Sequence, residues 1–392
     1  MKANTPMPDA AGLDRRFTVS VAKRSNYMVA GGGLAVVVVL ALLPLFGGTE
    51  WTRRMIDLLC FVALAQLWNL MLGYGGLISV GQQGFIGIGA YTLWFFSDII
   101  HMSPFAAVIF AAIAGTIIAL PAAALVFRLK GGYLAIGTWV IAEIIRLVMT
   151  NIKRAGAASG IDVTSASEVV AQVGAAGWYS RVYWWALAAA ILAIAVTYAL
   201  LRSRSGLALK AMRDDDLAAE SNGVNLWRAK LYTWVIAGAG CALVGAIRAM
   251  YDLRVNPGAN FSVNWTAYLI FITVIGGIGT IEGPIIGSII FYVLRETTSK
   301  YGTWYFIALG LVAIVVTVWS PQGIYGWIAK RTGYMIFPLQ RQLSLIDDDV
   351  GGGRTPGGGP GPRLPWMGRA RNTGTAPTKV EDASKAGAAD GA

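Results

Sequence analysis

Between residues 202 and 230, in RSRSGLALKAMRDDDLAAESNGVNLWRAK, six cations and four carboxylates share twenty-nine positions. Arg202, Arg204, Lys210, Arg213, Arg228 and Lys230 face Asp214, Asp215, Asp216 and Glu220 across a stretch with long apolar runs on either side. Each ionised group at the centre of a bilayer is penalised by at least about 2.5–3.5 kcal/mol, so this segment lies in water. Its cationic flanks point to the cytoplasmic side. The chemistry available to it is recognition: a mixed-charge surface on which a soluble protein could dock, or a solvated loop that only joins two spans.

The local pattern is helical. Leu207, Ala211, Leu217 and Ala218 follow three- and four-residue spacing, and the Asp214–Asp216 cluster is suited to the positive end of a second helix. Asn222-Gly223 supplies a left-handed stop.

Motifs of catalysis are missing from the rest of the sequence. It has no phosphate-cradling Gly-x-x-x-x-Gly-Lys-Ser/Thr, no zinc spacing and no Gly-x-Ser-x-Gly. With a single histidine, His101, beside Asp98 in a short turn, histidine-based metal or triad chemistry has no material. Cys60 and Cys241 both fall in apolar segments and are expected as small core residues. No pair of acid–base residues converges in the apolar segments as an enzyme would require.

Two further groups of polar residues lie inside apolar stretches. LGYGGLISVGQQGFIGIGAY (72–91) carries seven glycines around Gln82 and Gln83. Glycine weakens a helix by about 1 kcal/mol relative to alanine, and buried amides need partners. Either a broken or tightly packed helix lining a pathway, or close helix–helix contact with the glutamines bonded to a neighbour, satisfies both conditions. Ser79, Gln82, Gln83 and Tyr91 are therefore candidates to line a translocation path. Glu143 is a further candidate, although Arg146 three residues on can neutralise it and make the pair structural. A second glycine-punctuated stretch, IGGIGTIEGPIIGS (275–288), predicts a tight turn or a discontinuous helix at Glu282-Gly283-Pro284. Arg248 lies near a span end, where it is expected to snorkel with Asp252 as its partner.

These residues require a frame of membrane helices. Of 392 residues, 56% are hydrophobic and only 14% charged, with a mean hydropathy of +0.58. Several runs reach the roughly 20 apolar residues that cross a hydrocarbon core. Strand-type alternation is absent, so the expected fold is an all-α polytopic bundle of about 8–10 transmembrane helices. Candidate spans are 27–46, 55–72, 77–96, 104–127, 133–150, 183–201, 231–251, 265–281, 284–294 and 304–319. Starting from a cytoplasmic N-terminal segment (1–24), six crossings return the chain to the cytoplasm at Arg202. Four more bring Lys330, Arg331 and the C-terminus there too. The membrane-spanning body is expected over 25–335, with 202–230 as its cytoplasmic loop and 151–182 on the outside. Within that outer loop 167–173 is expected as a short surface helix, and Trp178, Tyr179, Tyr183, Trp184 and Trp185 as an interfacial belt. The Gly/Pro-rich tail, 336–392, is expected to be disordered. The net charge of +11 is explained by cytoplasmic loops and anionic lipid headgroups, without nucleic acid.

SVGQQGFIGIGAYTLWFF, KGGYLAIGTWVIAEIIRLV, SGLALKAMRDDDLAAESNGVNLWRAKLYTWVIAGAGCALVGAI and VIGGIGTIEGPIIGSII together resemble the permease subunits of ABC importers for branched-chain amino acids, the LivM type. The resemblance runs over residues 50–320 in order and spacing. It implies a multi-pass protein of the bacterial inner membrane, paired with a second, LivH-type permease. Two cytoplasmic ATPases and a periplasmic substrate-binding protein complete such an importer. ATP and Mg would then be bound by the partners, and no cofactor by this chain. Carried over residue by residue, the docking segment is Ala211 to Gly223: Ala211, Met212, Arg213, Asp214, Asp215, Leu217, Glu220 and Gly223. The sequence departs from the family at Gln82, where a histidine is usual, at Glu282, where a tryptophan is frequent, and at 155–159. Urea, short amides and other amino acids are solutes of similar permeases. A self-contained secondary transporter or channel is the alternative outside the family.

Overall fold

The computed structural model describes residues 17–20, 23–46, 48–298, 304–320, 322–332 and 342–345. Residues Val19–Ser344 form one compact unit. The expected disorder of 336–392 falls outside the described residues apart from a strand at Gln342–Leu345.

Each of the ten apolar runs coincides with a helix. They are α1 (Lys23–Phe46), α2 (Gly48–Asn69), α3 (Gln82–Trp94), α4 (Pro104–Val126), α5 (Gly132–Asn151), α6 (Thr164–Arg202), α9 (Leu226–Asp252), α11 (Asn264–Gly276), α12 (Glu282–Thr298) and α13 (Trp304–Trp319). Among the described residues seven helices are long and apolar enough to cross a membrane. The runs at 77–96 and 284–294 give shorter helices because glycine-rich breaks interrupt them on one side. The protein is thus an all-α, multi-pass membrane protein.

Packing is governed by small residues. A Cβ on Gly89 of α3 would lie 1.8 Å from the carbonyl oxygen of Ala242 on α9, and one on Gly245 would lie 2.0 Å from that of Ile86. Backbones this close are possible only without side chains, and in lipid such contact is a main source of helix association. Buried α2 and α9 therefore form the centre, flanked by α3, α4, α6, α11 and α12. The outward faces of α4, α5 and α13 remain broadly exposed and apolar.

The connection over 151–182 is more ordered than a linker. Ile161–Asp162 pairs antiparallel with Arg254–Val255, and α6 starts at Thr164 rather than at the apolar run. Asp98 caps it from a distance, accepting from the backbone N–H of Thr164 (2.8 Å) and Ser165 (3.0 Å). Gly174, with φ +76° and ψ 159°, ends this first helical piece. The surface helix expected at 167–173 is thus present, and the spanning part of α6 continues beyond the kink.

Two expectations need correction. Trp178 and Tyr183 do not form an interfacial belt: both are fully buried, the indole donating to Met250 O (3.2 Å) and the phenol to Leu40 O (2.6 Å). Trp184 does remain exposed. Arg248 does not snorkel. Its side chain is buried and pairs with Asp57 of α2, with Asp252 a second partner at 3.2 Å. Arg295 of α12 takes the other oxygen of Asp57 at 3.1 Å, so the cluster ties α2, α9 and α12 together. Two adjacent carboxylates balance the charge of the arginine through its two terminal nitrogens, which lets it stay inside where a lone cation could not.

Candidate functional site

The island folds as two short helices. Arg204–Asp214 is α7, and Asp216–Ser221 is α8. Asp215 separates them, with extended backbone and a carboxylate that accepts from Leu217 N (2.8 Å) and Ala218 N (3.2 Å). This is the helix start expected from the aspartate cluster. Gly223, at φ +80°, provides the left-handed stop. Asn225 then caps α9 by accepting from Arg228 N at 3.0 Å. Asp216 reaches back to Lys230 at 2.9 Å and holds α8 against the start of α9.

The docking candidates fall into two groups. Asp214, Asp215, Leu217, Glu220 and Gly223 are exposed, and Leu217 keeps 73% of its surface open. Met212 is buried instead, with Leu209 and Ala229, and Ala211 is half-buried. These side chains anchor α7 to the bundle, leaving α8 and the Asp214–Asp215 elbow as the presented surface.

Arg213 does something that its place in a charge run does not announce. Its Nη1 donates to the carbonyl oxygen of Gly73, 2.5 Å away. Gly73 belongs to the π-helical turn Leu70–Tyr74 that continues α2. After it Gly76 adopts φ +64°, and the chain runs without helix until Gln82. Arg213 thus reaches the break between α2 and α3.

A second break converges on the same place. The α11–α12 turn passes through Gly277 (φ +131°) and Gly279 (φ +78°), conformations that favour glycine. Asn69 of α2 bridges this turn, accepting from Gly279 N at 2.9 Å and donating to Thr280 O at 2.7 Å. A Cβ on Gly279 would lie 2.6 Å from Arg213 Nη1. One arginine from the island therefore touches the discontinuities of two membrane helix pairs.

Beyond the first break lie the path candidates, in a segment that is both interrupted and closely packed. The helix is broken before Gln82, and from Gln82 on it is closely packed. Ser79, Gln82, Gln83 and Tyr91 are all buried. Ser79 O accepts from the Trp68 indole at 3.0 Å, and Thr138 Oγ1 accepts from Val80 N at 3.0 Å. Gln83 accepts from the Thr266 hydroxyl. Gln82 donates to Met71 Sδ at 2.8 Å, while its amide oxygen has no protein partner, nor has the Tyr91 hydroxyl. Glu143 stands apart from this group: it pairs with Arg146 at 2.9 Å on the outward side of α5. Glu282 is buried in the first turn of α12. Among the described residues no group of His, Cys, Asp and Glu could hold a metal ion.

A family model described as branched-chain amino acid transport system / permease component matches residues 53–318. The high-affinity branched-chain amino acid transport system permease protein LivM of Escherichia coli is 29% identical over 291 residues, covering 67% of each chain. Its counterpart in Salmonella typhimurium is 28% identical with the same coverage. The permease protein LivH of Escherichia coli is 32% identical over 136 residues, 34% of this chain and 43% of its own. No solved structure matches. Since the matched region, with its broken helices and its charged elbow, takes in well over half of the sequence, this chain belongs to the family of branched-chain amino acid transport permease components.

Proposed function

We propose that this chain is the translocating subunit of an ATP-driven importer for branched-chain, hydrophobic amino acids, and that α7 and α8 receive the drive. The observation that carries this reading is the reach of Arg213 from the exposed elbow to Gly73 at the α2–α3 break. An exposed surface that merely joined two spans would have no reason to be bonded to an irregular stretch of backbone in the bundle. A soluble ATPase pressing on Leu217, Asp214 and Glu220 would move α7 as a rigid piece, because Leu209 and Met212 bury its inner side. Arg213 then passes that movement to the start of α3 and, through Asn69, to the α11–α12 turn. Packed helices change by switching between discrete arrangements, so such a push produces a rocking of one half against another.

The path itself fits a small apolar solute. Its buried segment offers apolar and glycine surface with few polar anchors, of which the free amide oxygen of Gln82 is one. In this scheme the chain hydrolyses nothing. ATP and Mg are held by two separate cytoplasmic ATPases, a periplasmic binding protein delivers the solute, and a LivH-type permease completes the membrane part. The elbow and both termini face the cytoplasm of a cell whose inner membrane holds the complex. Support for this orientation is that Gly323, at the head of α14 (Gly323–Thr332), lies against Gly277 beside Arg213, as an even number of crossings after the island requires.

The test is replacement of 202–230 by a Gly/Ser linker of equal length. ATPase co-purification and solute uptake are both expected to disappear. Retention of both would place the drive elsewhere.

A further inference from the structure

The exposed face of α5 differs from the other open faces of the bundle. This helix is long and apolar enough to cross a membrane, yet little of it is buried within the chain. Its inner side carries buried Leu134, Thr138 and Ala142, of which Thr138 lies against Gly81 just before α3 and Ala142 against Gly84 within it. On the outer side Ile136, Val140, Glu143 and Leu147 follow one another at spacings of four, three and four. That is the repeat of a helix seam that meets another helix.

Glu143 and its partner Arg146 sit near the middle of this face, with 39% and 30% of their side chains open. Hydrocarbon is a poor medium for even a neutralised ion pair, because the outward lone pairs and N–H groups find nothing there. The comparably exposed faces of α4 and α13 carry no charged side chain at all. Lipid suits those two faces and does not suit this one.

Resting on the permease reading above, we infer that the outer face of α5 is the seam on which a second, related permease chain seats, with the Glu143–Arg146 pair enclosed in it. The occupant is of the same fold because two kinds of permease, LivM and LivH, both match this one sequence. A similar chain brings a similar helix surface, able to complete the heptad-like stripe and to offer polar groups at the level of the ion pair.

The experiment places a photo-crosslinking benzoylphenylalanine at Val140 or Leu147, with Ile117 on α4 as the control, in the full chain expressed with its neighbouring genes. Adducts identified by mass spectrometry as a second permease of this family are expected from 140 and 147, and none from 117. Lipid adducts alone, an adduct with another copy of this chain, or permease adducts from 117 instead would overturn the assignment. Exchanging the charges (Glu143→Arg with Arg146→Glu) supplies a second arm. The exchanged pair can still neutralise itself, so the chain should accumulate normally but retain at least tenfold less of the second permease on purification. Wild-type retention would overturn the seam. A seam that forms in a complex which transports no amino acid would instead count against the function proposed above, so the two failures are separable.

Discussion

Arg213 Nη1 and the carbonyl oxygen of Gly73 lie 2.5 Å apart although 140 residues separate them in sequence. The bond links a water-exposed helix to the one turn of α2 where the regular ladder gives way, and it accounts for how a push outside the membrane could reach a path inside it.

Arg213→Ala should leave the presented surface of α8 intact and remove the link. A charge-assisted hydrogen bond, here partly in water, contributes about 1–2 kcal/mol. Uptake is therefore expected to fall about tenfold, since about 1.4 kcal/mol is a factor of ten. ATPase binding should be retained. Arg213→Lys keeps a donor and should recover part of the uptake. Parallel measurement of co-purified ATPase and uptake in vesicles checks this, and equal loss of both would make Arg213 a docking contact instead.

Gly73→Ala introduces a Cβ 2.2 Å from Asn69 Oδ1 and 2.6 Å from the backbone nitrogen of Gly279. The amide could swing aside, but only by giving up the bridge to Gly279 and Thr280; the backbone nitrogen cannot move cheaply. Overpacking of this kind destabilises by about 1–3 kcal/mol. The unfolding midpoint in detergent should drop, whereas Gly32→Ala, which has open space around it, should leave it unchanged.

Gln82 and Gln83 are adjacent and should respond differently to leucine. Gln83→Leu strands the buried Thr266 hydroxyl and should lower stability by about 1–3 kcal/mol. Gln82→Leu removes an oxygen that had no protein partner and a single N–H bond to the weak acceptor Met71 Sδ, whose loss the relief of the unpaired oxygen offsets, so stability should change little while uptake falls. Thermal unfolding and transport, measured side by side, separate the two. Stability lost equally in both would assign Gln82 to packing alone.

Arg248→Ala leaves Asp57 buried with Arg295 as its remaining partner. Breaking a buried pair from one side typically destabilises by about 3–5 kcal/mol. Adding Asp57→Asn should return part of that loss, because the stranded charge goes with it. A double-mutant cycle on chemical unfolding reads the coupling.

Much of this architecture was legible in residue order. Ten apolar runs became ten helices because burial in lipid demands continuous apolar stretches, and Asp215 and Gly223 marked the ends of α8 through ordinary cap chemistry. What stayed hidden was rotation and long-range pairing. Trp178 and Tyr183 have the composition of an interfacial belt, yet α6 turns them inward, and periodicity in an all-apolar span does not reveal that. Arg248 suggested Asp252 because four residues make a helical neighbour; Asp57, 191 residues away, leaves no such trace. Likewise Arg213 sits among charges that face water, and only the fold of the α2–α3 break shows that it turns back. The start of α6 was missed since 164–182 is too polar to resemble a span.

The most direct test of the account is where the elbow lies and what it touches. With Cys60 and Cys241 replaced by alanine, Leu217→Cys supplies one exposed thiol on α8. In intact cells a membrane-impermeant maleimide should leave it unmodified. In inverted vesicles it should react, and a short bifunctional cross-linker should join it to a nucleotide-binding subunit. Labelling from outside the cell, or a cross-link to a secreted binding protein, would contradict the central claim.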